Sequence, residues 1–330
     1  MKWILVRRQH RLLPLLCALL AVAPTTVALA QDSFPSKPVR LVVPYPPGGI
    51  GDFVARLIAP KWGETLKQQI VVENRAGAGS NIGIDYVAKA APDGYTVLLF
   101  DTALLVNPTL YAKLSYDAQR DLAPLMIVGR TPLVLAVNPT LAANSVADLL
   151  ALARARPGHL SYASAGSGTL VHLAAEMLKS AAGLDIVHVP YKGAGLAILD
   201  VIGGQVPMMF AVPGTARTHI AAGKLRPLAI TGERRFKGLP AVPTFAEAGV
   251  RGMDASLIVG FMVPVKTPAT VVSTLHDTLA TVTAMPEVVG KLGDSGMEMV
   301  GADPRRSAAL LADEFALWAR VVRSSGAKAE

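Results

Sequence analysis

Short apolar runs alternate with helix-period patterns along most of the chain, and this alternation narrows the possible architectures more than any other feature. Strand-like runs occur at 39–43, 69–73, 95–100, 133–137, 160–164, 186–189, 206–211 and 225–231. Helical patterns lie between them at 52–66, 81–90, 145–155, 169–182 and 196–202. Pro92-Asp93-Gly94 supplies a turn before the third run. Ser145 stands as a helix N-cap with Asp148 three residues on, and Pro157-Gly158 ends that helix. A βαβα rhythm of this kind implies α/β layers with largely parallel sheets. The chain has 330 residues, 52% hydrophobic and 17% charged, which suits a sizeable packed core. No fixed-period repeat or low-complexity segment interrupts it.

The first thirty residues form a separate object. Lys2, Arg7, Arg8 and Arg11 precede an apolar stretch from Leu12 to Val22, and Ala28-Leu29-Ala30 is a small-x-small site. This pattern reads as a secretory signal peptide, residues 1–30, cleaved after Ala30. The apolar stretch is too short for a membrane span. Removing it lowers the formal charge from +8 to +4, since the segment holds four basic residues and no acidic one. It also removes Cys17, the single cysteine, so the mature chain has neither disulfide nor thiolate. Aromatic residues are scarce at 5%, which argues against a base-stacking nucleic-acid surface.

Four strand-to-helix junctions are rich in glycine: PPGGIGD (46–52), RAGAGSN (75–81), SAGSGT (164–169) and YKGAG (191–195). In α/β sheets, ligands bind beyond the carboxyl ends of strands, where helix N-termini present unpaired N–H groups and partial positive charge. Two junctions precede residue 134 and two follow residue 160, so separate lobes could face each other across a cleft. A dinucleotide fingerprint is the nearest rival. Gly77, Gly79 and Gly83 are spaced GxGxxxG, with Ile82 where the third glycine should stand, although Asp101 lies at the expected acidic distance. Ser164 and Ser167 sit at a strand–helix turn, but neither is flanked by the glycines of a nucleophile elbow. His159, His172, His188, His219 and His276 have no metal-ligand spacing. Asp52 reads as a first-turn carboxylate that organises structure or ligand, His172 as a packing or capping histidine, and Arg75 either as an anion clamp or as a surface partner of Glu73.

Eight segments taken in order are YPPGGIGDFVARLIAP, VVENRAGAGSNIG, APDGYTVLL, LSYASAGSGTLVHLAAEMLK, HVPYKGAG, GGQV, GKLRPLAITGERR and LPAVPTFAEAG. Together they resemble the substrate-binding receptors of tripartite tricarboxylate transporters, the Bug receptors, over residues 34–330. The resemblance implies an α/β, two-lobed periplasmic-binding-protein fold (Venus flytrap, type II) with the ligand cleft between the lobes. It implies lobe one over 31–133 and 254–330, and lobe two over 134–253. The implied function is periplasmic capture of a small organic carboxylate for a two-subunit membrane permease, by a monomer with no catalysis, metal or cofactor. An exported hydrolase and a ligand sensor for a signalling partner are the alternatives.

The resemblance also directs attention to particular residues. The loop Tyr45 to Asp52 is expected to hold a carboxylate through the N–H groups of Gly49, Ile50 and Gly51, with Pro47 and Gly48 shaping its path. Ser164, Ser167 and Thr169 are expected to grip the ligand's other end. Gly79, Ser80, Asn81, Asp101, Thr102, Gly168, His172, Lys192 and Gly193 complete the candidate set. Three positions depart from the family pattern: Pro207 after GGQV, Ala211 at the strand end, and Ile258 where a tryptophan is common. They make that side of the pocket less polar and less aromatic, which favours a plain or partly apolar carboxylate over an amino acid.

Overall fold

A computed structural model describes residues 34–329. The expected signal peptide and its cleavage site lie outside the described residues. In chain order the elements are β1 (Val39–Val43), α1 (Ile50–Leu66), β2 (Ile70–Asn74), α2 (Asn81–Ala88), β3 (Thr96–Asp101), α3 (Ala103–Leu110), α4 (Ala118–Asp121) and β4 (Leu122–Pro132). There follow β5 (Val134–Val137), α5 (Val146–Ala155), β6 (Ser161–Ser164), α6 (Leu170–Ala182), β7 (Val187–Pro190), α7 (Ala194–Ile202), β8 (Met208–Ala211), α8 (Pro213–Ala221) and β9 (Arg226–Ile230). The last are β10 (Ser256–Pro264), α9 (Ala269–Thr283), α10 (Pro286–Asp294), β11 (Glu298–Ala302) and α11 (Pro304–Ser325).

The strands form two sheets, ordered β11-β4-β10-β3-β1-β2 and β7-β6-β8-β5-β9. Both are mixed, which corrects the expectation of largely parallel sheets. β10 runs antiparallel to both β3 and β4, and β5 runs antiparallel to both β8 and β9. The cause is where the chain changes sheet. It leaves the six-stranded sheet at Pro132 and returns at Ser256, and these two residues are paired partners. A strand that begins where its neighbour ends must run the opposite way. The same holds for Val134, which is paired with Ile230 at the end of β9.

The helices follow from apolar spacing. In α1 the buried Val54, Ala55, Ile58, Ala59, Trp62 and Leu66 repeat at helical intervals on one face. Burying each of the larger ones contributes roughly 1.5–3 kcal/mol. Trp62 Nε1 donates to Thr278 Oγ1 of α9 at 2.9 Å, so α1 and α9 cover the sheet together. The Ser145 cap forms as its position implies, its hydroxyl accepting from Asp148 N–H at 3.1 Å. One apolar core joins Leu98 and Phe100 of the first sheet to Leu135, Tyr162 and Phe210 of the second, with Trp318 of α11 in the same cluster.

Thr231 links the two places where the chain changes sheet. Its hydroxyl accepts from Leu133 N–H at 2.7 Å and donates to the Ala255 carbonyl at 2.5 Å. Its own N–H donates to the Leu133 carbonyl at 2.8 Å.

Candidate functional site

The loop after β1 has little in it except backbone. Pro46 to Gly49 are exposed, and a Cβ added at Gly48 or Gly49 would meet nothing within 4 Å. Gly49 is the N-cap of α1, with no side-chain cap, so the first-turn amides of the helix have no intrahelical acceptor. Asp52 folds this loop from below. Its Oδ2 accepts from Gly48 N–H at 3.0 Å and its Oδ1 accepts from Asn74 Nδ2 at 2.9 Å. Arg56 Nε donates to both oxygens at 3.0 Å, and Asn74 also donates to the Tyr45 carbonyl. The Arg56 hydrogen bond, helped by Gly48 and Asn74 and opposed by burial, holds the Asp52 pKa down to about 2. The carboxylate is therefore turned to its own loop. Gly51 is buried, with room for a Cβ only 3.1 Å from Leu99, so the accessible part of the loop is Pro46 to Gly49.

The junction after β2 is bent sharply. Ala78, Gly79 and Ser80 have φ of 47°, 60° and 79°, three left-handed residues in succession. Two of them carry a Cβ, which costs roughly 1–3 kcal/mol each and needs support from outside. Asn107 of α3 supplies it. Its Nδ2 donates to the Gly79 carbonyl and to Asn81 Oδ1, each at 2.8 Å. Tyr116 donates to the same Asn81 oxygen at 2.6 Å. Asn81 and the buried Ser80 thus serve the turn. Arg75 pairs with Glu73 at 2.6 Å and stacks on Tyr86, so of its two readings the surface pair is the one seen.

At the end of β3, Asp101 Oδ1 accepts from the Tyr45 hydroxyl and from Ala103 N–H, the latter at 2.8 Å. Burial raises the Asp101 pKa, and the two hydrogen bonds oppose that rise. Burial, followed by the nearby Asp101 charge, raises Tyr45 well above its ordinary value. Thr102 is buried and engages β10, donating to the Ser256 carbonyl at 3.1 Å and accepting from Ile258 N–H at 2.9 Å.

The loop from β6 to α6 is held by histidines. Ser164 is fully buried. Its Oγ lies 2.6 Å from His188 Nε2, accepts from Gly166 N–H at 3.1 Å, and donates to the Gly166 carbonyl. Buried in this way, it has no path to a substrate as a nucleophile or as a ligand contact. Thr169 Oγ1 also donates to Gly166, at 2.7 Å. Gly168 N–H donates to His172 Nδ1 at 2.9 Å, so that nitrogen must be unprotonated. The His172 and His188 rings stack 3.9 Å apart beside Tyr162. Burial, then the neighbouring His188, lowers the His172 pKa to about 4, although Glu176 opposes the shift. Lys192 is exposed, and Gly193 N–H donates to the Ala165 carbonyl at 3.2 Å, bracing this loop.

A cavity of about 250 Å³ lies between the first-sheet elements and the β6–α6 loop. Seven of the expected residues line it: Tyr45, Gly79, Asp101, Thr102, Ser167, Gly168 and Thr169. Pro47 to Asp52, Ser80, Asn81, Ser164, His172, Lys192 and Gly193 do not. Ala103, Val106, Asn107, Leu110, Tyr111, Leu170 and Leu257 also line it and were not anticipated. Asn107, a lone amide in the apolar helix ALLVNPTL, is the one that carries a signal in the sequence. Leu110 reaches across the cavity, since a Cβ at Gly168 (φ +75°) would stand 2.4 Å from its Cδ2. Among the described residues no three His, Cys, Asp or Glu side chains are placed to hold a metal ion, and no helix is long and apolar enough to cross a membrane.

Comparison with known proteins gives a consistent result. The family model described as "Tripartite tricarboxylate transporter family receptor" matches residues 54–327. Protein BugT of Bordetella pertussis is 38% identical over 320 residues, covering 96% of this chain and 98% of BugT. Among solved structures, R. palustris Rpa4515 with adipate superposes with a TM-score of 0.79 at 34% identity, covering 89% of this chain and 99% of that one. MatC of Rhodopseudomonas palustris with bound malate gives 0.76 at 29% identity, covering 88% and 100%.

Proposed function

Because the chain belongs to the tripartite tricarboxylate transporter receptor family, we propose that it captures a small organic acid in the cleft between two lobes and delivers it to a membrane permease of two subunits. The receptor works in the periplasm, as a monomer without catalysis of its own, after a signal peptide is removed behind Ala30. Lobe one comprises 31–133 and 254–330, and lobe two comprises 134–253. Relatives of the same fold hold adipate and malate, and a small carboxylate is the cargo class assigned here.

The observation that carries this reading is the bare PPGG loop at the start of α1. Helix N-termini stabilise anions because their amides are unpaired and the helix dipole is positive there. The prolines fix the path of the loop, and Asp52 holds Gly48 in place while Gly49 stays exposed. Bridging water can complete the set of contacts. The cavity lined by Tyr45 supplies an apolar wall from Val106, Leu110, Leu170 and Leu257 for the body of the acid. Tyr45 and Ser167 line the same cavity, and a ligand that touches both would favour the arrangement that holds them together.

Thermal unfolding of the processed protein against a panel of organic acids tests this reading. A ligand at about 100 times its Kd adds roughly 2.7 kcal/mol, a midpoint shift of several degrees. Gly49→Pro removes one candidate donor, and the φ of −80° at Gly49 suits a proline ring. Its affinity for the best acid should fall by about tenfold or more. An unchanged affinity in this variant would sink the role given to the loop, and acid turnover during incubation would favour a hydrolase.

A further inference from the structure

The charge on the cavity wall limits which acid fits. Among the described residues, Asp101 is the only charged one lining it, and no lysine, arginine or histidine does. Both hydrogen bonds that the Asp101 carboxylate accepts, from Tyr45 and Ala103, fall on Oδ1. Oδ2 accepts none from the described residues, and the side chain borders the open cavity.

Several other polar groups on the wall have their donors engaged inward. Thr102 donates to Ser256, Thr169 donates to Gly166, and Asn107 donates to Gly79 and Asn81. Tyr111 Oη is a hydroxyl left to serve as donor or acceptor. The side chains beside Asp101 therefore present acceptors and one negative charge, and the free donors on the lining, the Tyr111 hydroxyl and the uncapped first-turn amides of α6 at Leu170, lie away from the Asp101 carboxylate's own loop. A second ligand carboxylate placed there would meet a like charge with no cation to offset it. A hydroxyl or ammonium group would instead donate to Oδ2.

We propose that Asp101 is a specificity-determining residue: it selects an acid whose far end carries a hydrogen-bond donor, a hydroxyl or an ammonium group, over one whose far end is a second carboxylate. This rests on the carboxylate-receptor reading above and sharpens it. It departs from the plain acid favoured by Pro207, Ala211 and Ile258, none of which lines this cavity, and it sets this chain apart from the adipate-bound relative, whose ligand ends in a second carboxylate.

Calorimetric titration of the processed protein with four acids of one length tests it: butyrate, γ-hydroxybutyrate, γ-aminobutyrate and succinate, then the homologous set ending in adipate. The hydroxy or amino acid should bind at least about tenfold more tightly than both the plain acid and the diacid, because a site built to accept a donor discriminates against ligands lacking one. The hydroxy and amino arms identify which donor is taken. Asp101→Asn should then gain affinity for the diacid and narrow the gap, while the wild-type ranking stands as a test even if that variant folds poorly. A diacid binding as tightly as the donor-bearing acid in the wild type overturns this proposal and leaves the receptor reading intact. Binding of no acid in either set overturns both.

Discussion

At the scale of single residues, two buried titratable groups hold the two cleft loops, and each does so in one charge state. Asp52 organises the PPGG loop as an anion. His172 organises the SAGSGT loop as a neutral ring, because only an unprotonated Nδ1 accepts from Gly168. The signs are the same and the windows differ. The His172 pKa is lowered from 6.5 to about 4, so its contribution is complete above pH about 6.5 and is lost as pH falls toward 4. The Asp52 pKa is lowered from 3.8 to about 2, so its contribution survives that window and is lost only as pH falls from about 4 to about 2. Melting temperature against pH should therefore decline in two stages. His172→Gln should flatten the first stage and leave the second, and Asp52→Asn should do the reverse. A single acid transition unaffected by either change would contradict both assignments. The reading of Asp52 as a first-turn organiser and of His172 as a packing or capping histidine matches their hydrogen bonds, which turn both toward their own loops, although the resemblance also set them among the candidate contacts.

At the scale of elements, the strand–helix junctions were legible, and the strands β4, β10 and β11 were not. α1 announces itself by its apolar periodicity and α5 by its Ser145 cap. β4 and β10 are buried on nearly every residue, so they show no alternation to read, and β4 carries two prolines and a glycine that suggest a loop. Their direction depends on where the chain returns from the second sheet, which is a tertiary fact. The glycines of the junctions also divide by role. At Gly49 the backbone is ordinary and the space above is open, whereas Gly168 combines a left-handed φ with contact to Leu110. Gly49→Ala should cost about 1 kcal/mol or less, while Gly168→Ala should cost about 2–4 kcal/mol through backbone strain and overlap. Adding Leu110→Ala to the second variant should recover the overlap part and leave the backbone part. Equal losses from the two alanines in urea unfolding would remove the distinction.

At the scale of the whole molecule, the two sheets share a core and two crossings. The cluster that includes Leu98, Phe210 and Trp318 has members from both sheets and from α11. Calorimetry of the unliganded protein should therefore show one cooperative unfolding transition, and two separable transitions would contradict a shared core. Thr231→Val keeps the shape at the crossings but leaves Leu133 N–H and the Ala255 carbonyl without that hydroxyl, at a cost of about 1–3 kcal/mol. The transition should move down in temperature and stay single.

The contact of Leu110 with Gly168 works like a gauge block between jaws. The spacing across the cavity at that point is set by an atom that glycine does not have. A change at position 110 would alter that spacing without touching Asp101, the charged residue of the described lining, whereas position 168 is held to glycine by its φ of +75°. Width and charge at this cavity are therefore set by separate side chains, Leu110 for the one and Asp101 for the other.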